Sequence, residues 1–140
     1  MAKRILIMGL PGAGKTTLAK ELQIKLWEEG RTVSWLNADK IRKIYNDWDF
    51  STEGRIRQSR RMRELADNST NDYVICDFVA PLAEQRDNFK ADWTIWVDTI
   101  LESRFEDTNK AFVPPAVYEF RVTEQDANKW SEFICRSILN

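Results

Sequence analysis

The chain has 140 residues, 43% hydrophobic and 31% charged, which suits one globular domain and excludes a chain too polar to bury a core. Its formal net charge of −1 gives no global pull toward nucleic acid, and its two cysteines, Cys76 and Cys135, make no metal-binding spacing. There is no histidine, so any acid–base chemistry falls to carboxylates or lysine.

In chain order, the apolar run Arg4–Met8 reads as a buried strand and not as a leader peptide, because it is short and runs directly into glycines. A helix follows over Gly14–Glu29, with Leu18, Leu22 and Leu26 at helical spacing and Gly30 as its stop. Thr32–Leu36 reads as a second strand and Asp39–Tyr45 as a second helix. A third helix over Thr52–Ala66 has Ser51 as its cap. Tyr73–Cys76 is the third strand. A helix follows Pro81, which suits a first turn. Thr94–Val97 and Tyr118–Val122 are the remaining strands, and a last helix covers Glu124–Leu139 with Thr123 as its cap. The stretch Glu106–Pro115, with two prolines in succession, reads as an irregular, mobile lid. Strands alternating with amphipathic segments predict a three-layer α/β domain over 1–140, built on a five-stranded parallel sheet. No stretch is long and apolar enough to span a membrane, and two unpaired thiols suit a reducing cytoplasm.

Gly9-Leu10-Pro11-Gly12-Ala13-Gly14-Lys15-Thr16 fits the phosphate-binding P-loop pattern in full, between a strand and a helix as the motif requires. Glycines let backbone N–H groups converge on phosphate oxygens, and the helix N-terminus adds a partial positive charge. Lys15 is placed to reach the β- and γ-phosphates of ATP, and Thr16 to put a hydroxyl on Mg²⁺; Thr17 completes the candidate ATP site. No guanine-recognition signature accompanies the loop, so a small-molecule kinase leads.

Two acids end strands. Asp39 follows the second and suits either a catalytic role toward Mg²⁺ and an acceptor hydroxyl or the cap of the next helix. Asp77 follows the third in a Walker-B-like ending, as a metal-water ligand or a solvated turn residue. Arg42, Arg55, Arg57, Arg60, Arg61 and Arg63 cluster between these strands. Guanidinium forks suit phosphate or sulfate; a salt-bridged helix, with Arg60 reaching Glu64, and a nucleic-acid contact are the alternatives.

These residues resemble the adenylylsulfate kinase (APS kinase) family. Its opening Gly-Leu-x-Gly-x-Gly-Lys-Ser/Thr is similar to Gly9–Thr16, and its Leu-Asp-Gly-Asp-Asn-Ile-Arg to Leu36–Arg42. Its Gly-Phe-Ser segment resembles Asp49-Phe50-Ser51, its Phe-Ile-Ser-Pro resembles Phe78-Val79-Ala80-Pro81, and its Val-Asp-Thr-Pro-Leu-Glu resembles Val97–Glu102, all in the family's order. The resemblance implies phosphorylation of the ribose 3′-hydroxyl of adenosine 5′-phosphosulfate by ATP. By match, Asp39 would act at the metal and hydroxyl, and Arg42 and Arg55 would hold the phosphosulfate. Phe50 would stack on the acceptor's adenine, with Phe78 and Val79 lining its pocket. Gln58 falls in the family's Glu-Asn-Ile-Arg-Arg run, and Lys110 and Phe112 in its lid. Analogy with P-loop kinases gives strand order 2-3-1-4-5 and allows a homodimer. The chain departs from the family at Asn37, in place of its first Asp, at Gln58, in place of its Asn, at Asp77, and in the lid sequence. The implied partner is a small nucleotide, with no membrane. A kinase of nucleosides or of hydroxymethylated bases in DNA, and a non-catalytic nucleotide-binding module, are the competing readings.

Overall fold

The computed structural model describes all of residues 1–140. Five parallel strands, β1 (Lys3–Met8), β2 (Val33–Asn37), β3 (Tyr73–Asp77), β4 (Trp93–Val97) and β5 (Phe120–Val122), form one sheet in the order β2-β3-β1-β4-β5, as expected. Six helices cover it: α1 (Lys15–Glu28), α2 (Ala38–Tyr45), α3 (Thr52–Asp67), α4 (Ala83–Phe89), α5 (Glu106–Ala111) and α6 (Ala127–Leu139).

Strand alternation builds two cores from one sheet. Ile5 and Ile7 of β1 and Ile75 of β3 face α1 and α6, where Leu18, Leu22, Leu26, Ile134 and Ile138 meet them. Leu6 and Met8 of β1 and Val74 and Cys76 of β3 face the other way, onto Ile41, Met62 and Phe89 from α2, α3 and α4. A central strand buried on both faces must be apolar at every position, and Ile5-Leu6-Ile7-Met8 is completely buried.

Several boundaries differ from expectation, each for a local reason. The last helix starts at Ala127, because the Asp126 side chain accepts from the Lys129 amide and Asp126 N–H first turns back on Glu124 O; Thr123 is not its cap. Pro81 lies two residues before α4, whose entry is closed by Leu82 N–H donating to Gln85 Oε1. Ser51 does cap α3, accepting from Gly54 N–H. The segment 106–115 is not wholly irregular: its first half is α5, and Val113 N–H then donates to Pro81 O at 2.7 Å. Arg60 and Glu64 form no ion pair. No helix is long and apolar enough to cross a membrane.

Candidate active site

The phosphate loop leaves β1 at Gly9 and enters α1 at Gly14. Gly9 has φ 147°, and a Cβ there would meet Val97 O at 2.4 Å, so the loop can pass β4 only as glycine. No side chain caps α1. Its first amides are therefore left for a ligand, which is the arrangement of a phosphate site.

Lys15 is almost wholly buried, and its Nζ donates to Leu10 O at 2.9 Å. Burial lowers its pKa to about 8, against the pull of Asp77 and Asp39. A buried ammonium with only one carbonyl partner is under-satisfied, and phosphate oxygens would complete it.

The end of β2 lies beside the end of β3, with Asn37 and Asp77 in register. Asp77 is 2% exposed and collects three donors: Trp35 Nε1 at 2.9 Å, Asn37 Nδ2 at 3.0 Å and the Thr16 hydroxyl at 2.9 Å. Burial raises its pKa, and these donors together with Lys15 hold it back. Asp77 is thus no solvated turn residue. Thr16 gives its proton to Asp77 and accepts a long contact from Asn37 Nδ2 at 3.4 Å, so one oxygen lone pair remains for a cation. A hydroxyl and a carboxylate are hard oxygen donors of the kind Mg²⁺ takes, and Trp35 and Asn37 orient the carboxylate behind them. Trp35 and Asn37 carried no local sign of this role, since their partner lies about forty residues away in the sequence.

Asp39 is exposed and makes no side-chain hydrogen bond. The cap of α2 is Asn37, whose Oδ1 accepts from Lys40 N–H, so Asp39 is released from that duty. Its charge acts on both Lys15 and Arg42, raising the pKa of each against the effect of burial.

A strap, residues 46–51, joins α2 to α3. Arg42 is buried and donates through Nη1 to Asp47 O and Asp49 O. Arg55 is buried and donates to Phe50 O at 2.8 Å and to Thr108 Oγ1 in α5 at 3.1 Å. The two guanidiniums lie 4.3 and 5.5 Å from the Phe50 ring centroid, and Phe50 is 51% exposed. Gly54 is needed here: a Cβ would meet Asp49 O at 2.2 Å.

The other arginines divide. Arg57 pairs with Asp47 and Asp49, and Arg61 with Asp47, so these two share a face of α3 and spend it on the strap. Gln58 is buried, donating to Ala38 O and accepting from Arg61; its amide ties α2 to α3 and does not line an open cleft. Phe78 is buried in the second core against Phe89, with Val79 half-buried beside it. Phe112 packs on that same core and lines a cleft with Leu10 and Trp96. Lys110 is exposed and faces Glu106 at 3.9 Å. A second cleft, about 160 Å³, opens beside the phosphate loop between Gly14, Thr17, Leu18, Val122 and Gln125.

Residues 1–111 match the model of the adenylylsulphate kinase family. This chain belongs to that family. Over 101 residues it is 32% identical to a "Probable adenylyl-sulfate kinase" of Pseudomonas aeruginosa, covering 70% of this chain and 47% of that protein. A second relative so named, from Halalkalibacterium halodurans, is 40% identical over 85 residues, 59% of this chain and 42% of that one. The chain spans about half the length of the curated relatives it matches. The fold is that of an APS kinase from Mycobacterium tuberculosis solved with AMPPNP and APS: TM-score 0.85, 20% identity, 99% of this chain and 98% of that one. Shikimate kinase from Aquifex aeolicus shares it more distantly, at TM-score 0.65 and 15% identity, over 97% of this chain and 96% of that one.

Proposed function

We propose that this family member is an ATP-dependent kinase of the 3′-hydroxyl of adenosine 5′-phosphosulfate. The observation that carries the acceptor is Phe50, a half-exposed aromatic residue with two buried guanidiniums, Arg42 and Arg55, close to its ring. A nucleotide with an anionic tail offers a ring for the first and charge for the second.

In this reading the amides of Gly12 and Gly14–Thr17 and the Lys15 ammonium take the phosphates of ATP, and the nucleoside extends into the cleft beside Gly14 and Gln125. Lys15 stabilises charge on the transferring group because it is already aimed and dry, so no solvent must reorganise. Thr16, Asp77 through water, and Asp39 would hold Mg²⁺, which when bound neutralises charge on the phosphate oxygens. Asp39, free of hydrogen bonds, orients the acceptor hydroxyl and receives its proton. Arg42 and Arg55 hold the phosphosulfate and set the angle of Phe50. Phe78, Val79, Phe112 and Lys110 supply the rear and the rim of the acceptor pocket, with Gln58 supporting α3 behind it. Segment 106–115 closes over the site, and Arg55–Thr108 is its link to the acceptor.

Asp47 and Asp49 neutralise Arg57 and Arg61, which weighs against a polymeric nucleic-acid acceptor. The test is ADP release with adenosine phosphosulfate, nucleosides and hydroxymethyl-containing DNA offered separately. Release with adenosine phosphosulfate alone is the expected result. Turnover with DNA would move the acceptor to the polymer, and ATP binding without turnover on any of them would leave a nucleotide-binding module.

A further inference from the structure

The block Val97–Glu102 resembles a family segment but supplies none of the groups assigned above. Its third residue, Thr99, has one marked contact: its hydroxyl donates to Ala13 O, in the phosphate loop, at 2.7 Å. Gln125, from the β5–α6 connection, donates to the same carbonyl at 3.3 Å, to Thr99 Oγ1 at 3.3 Å and to Gly12 O at 3.4 Å. Its Cγ lies 3.7 Å from where a Cβ on Gly14 would stand.

Ala13 is completely buried. The helical ladder of α1 begins one residue later, at Gly14 O, and no backbone amide reaches Ala13 O. A buried carbonyl needs a partner, and here its only partners are these two side chains. They come from different connections, 86 and 112 residues away in sequence. The mounting is firm, because Asp98 N–H, one residue before Thr99, donates to Val122 O at 2.8 Å and so locks the β4 end to β5.

The peptide plane converts this contact into a function. Ala13 C=O and Gly14 N–H belong to one trans peptide and point opposite ways. Holding the carbonyl toward Thr99 and Gln125 turns the Gly14 amide to the other side of the loop. The two glycines that flank Ala13 both sit at positive φ and give that plane freedom to rotate, so the side chains must supply the constraint. We propose that Thr99 and Gln125 are positioning residues for ATP, tethering the Ala13 carbonyl so that the Gly14 amide is preset for phosphate. The proposal rests on the kinase reading of the phosphate loop and adds to it the device that orients the loop.

The experiment measures the Kd of Mg-ATP by calorimetry, without acceptor, on the whole chain, with Tm recorded on the same samples. Thr99→Val keeps the shape and removes the hydroxyl. It should weaken ATP about ten-fold, the scale of one hydrogen bond to a buried group, and Thr99→Ser should restore it. Gln125 is exposed, so Gln125→Ala folds even if Thr99→Val does not; it should weaken ATP about three-fold, its longer bonds being the weaker ones. Steady-state assays should place both effects in the KM for ATP and leave the KM for the acceptor alone. Wild-type affinity in Gln125→Ala, or failure of Thr99→Ser to rescue a folded Thr99→Val, overturns the tether. Lys15→Ala separates the two levels: if it binds ATP as the wild type does, the kinase reading of the loop fails, whereas its loss of ATP beside intact binding in the Thr99 and Gln125 variants fails the tether alone.

Discussion

The phosphate loop and the strap over residues 46–51, the proposed donor and acceptor sides, are built by opposite means. The phosphate loop grows out of the central strand, and its carboxylate partner Asp77 and its lysine are buried, with each hydrogen bond running to the sheet or to the loop itself. The acceptor strap is an exposed loop off the sheet, shaped by arginines that reach up from α2 and α3 to its carbonyls, and its one aromatic face is open. In the proposed reading, chemistry common to all P-loop enzymes is placed where the fold is stiffest, and recognition of a particular acceptor where a few side chains can be exchanged without disturbing the sheet. If that division is real, donor-side variants should fail in turnover and ATP binding, and acceptor-side variants in acceptor KM.

The largest effect is expected at Lys15. Lys15→Ala should lower kcat/KM by at least about two orders of magnitude, the scale of roughly 3 kcal/mol for one preorganised charged contact at a transition state. Its Tm at neutral pH should hold or rise, since the substitution also removes a buried, under-solvated charge. Unchanged turnover would break the donor assignment. On the acceptor side, Arg42→Ala and Arg55→Ala should each raise acceptor KM about ten- to hundred-fold with ATP KM unchanged, from loss of a charge-assisted contact of about 1.5–3 kcal/mol. Both should also lower Tm, because the same guanidiniums hold the strap. Asp39→Asn sits on the border of the two regions and should lower kcat while sparing ATP binding and, since Asn37 is the cap of α2, sparing Tm.

The pH dependence sharpens the donor side in both directions. Lys15 holds its proton only to about pH 8 when folded, against an ordinary value of 10.5. Phosphate favours the charged lysine, so ATP affinity should be level below pH 8 and fall above it. Folding stability from this group moves the other way. Between pH 8 and 10.5 the unfolded chain keeps a proton that the folded chain has lost, so stability rises with pH through that window. Calorimetric Kd and Tm measured from pH 7 to 10 on wild type and Lys15→Ala should show both trends in the first and neither in the second.

How much of this was legible depends on how local the signal is. The phosphate loop and the strands declare themselves within a few residues, through glycine spacing and apolar runs, and the strand order followed from analogy with other P-loop kinases. Ser51 was legible as a cap at the start of the helical pattern, and its hydroxyl accepts from Gly54 N–H. Thr123 and Asp126 did compete, and Asp126 won because residues 124 and 125 turn back first and bring Gln125 to the phosphate loop. Asp39 and Asn37 competed likewise, and the cap went to the residue that also reaches Asp77. What the sequence hid were contacts made between separate segments: Trp35 and Asn37 on Asp77, Thr99 on Ala13, and Asp47 between two arginines. Each joins residues that no motif spacing connects. The arginine cluster could be seen, but which members were already spent could not, since that depends on where the strap folds.

The smallest expected effect tests that last point. Arg57 and Arg61 both hold Asp47, and Arg57 also holds Asp49, so their charge is met inside the strap. These pairs hold the Asp47 carboxyl well below the usual carboxylate range. Arg57 is half exposed, and exposed ion pairs contribute little to stability. Arg57→Ala should therefore cost a few-fold in acceptor KM, by loosening Phe50, and little in kcat or ATP KM. Salt gives the decisive contrast. An acceptor held by two buried guanidiniums is partly shielded from mobile ions, so log KM against log salt should be shallow in the wild type and stay shallow in Arg57→Ala. A polymeric acceptor would draw on Arg57, Arg60, Arg61 and Arg63 together. Its binding would weaken steeply with salt, and each arginine removed would reduce the slope by about one. A steep slope that eases on Arg57→Ala would show that Asp47 and Asp49 release their arginines to the acceptor, and the strap would then be a phosphate-binding surface in its own right.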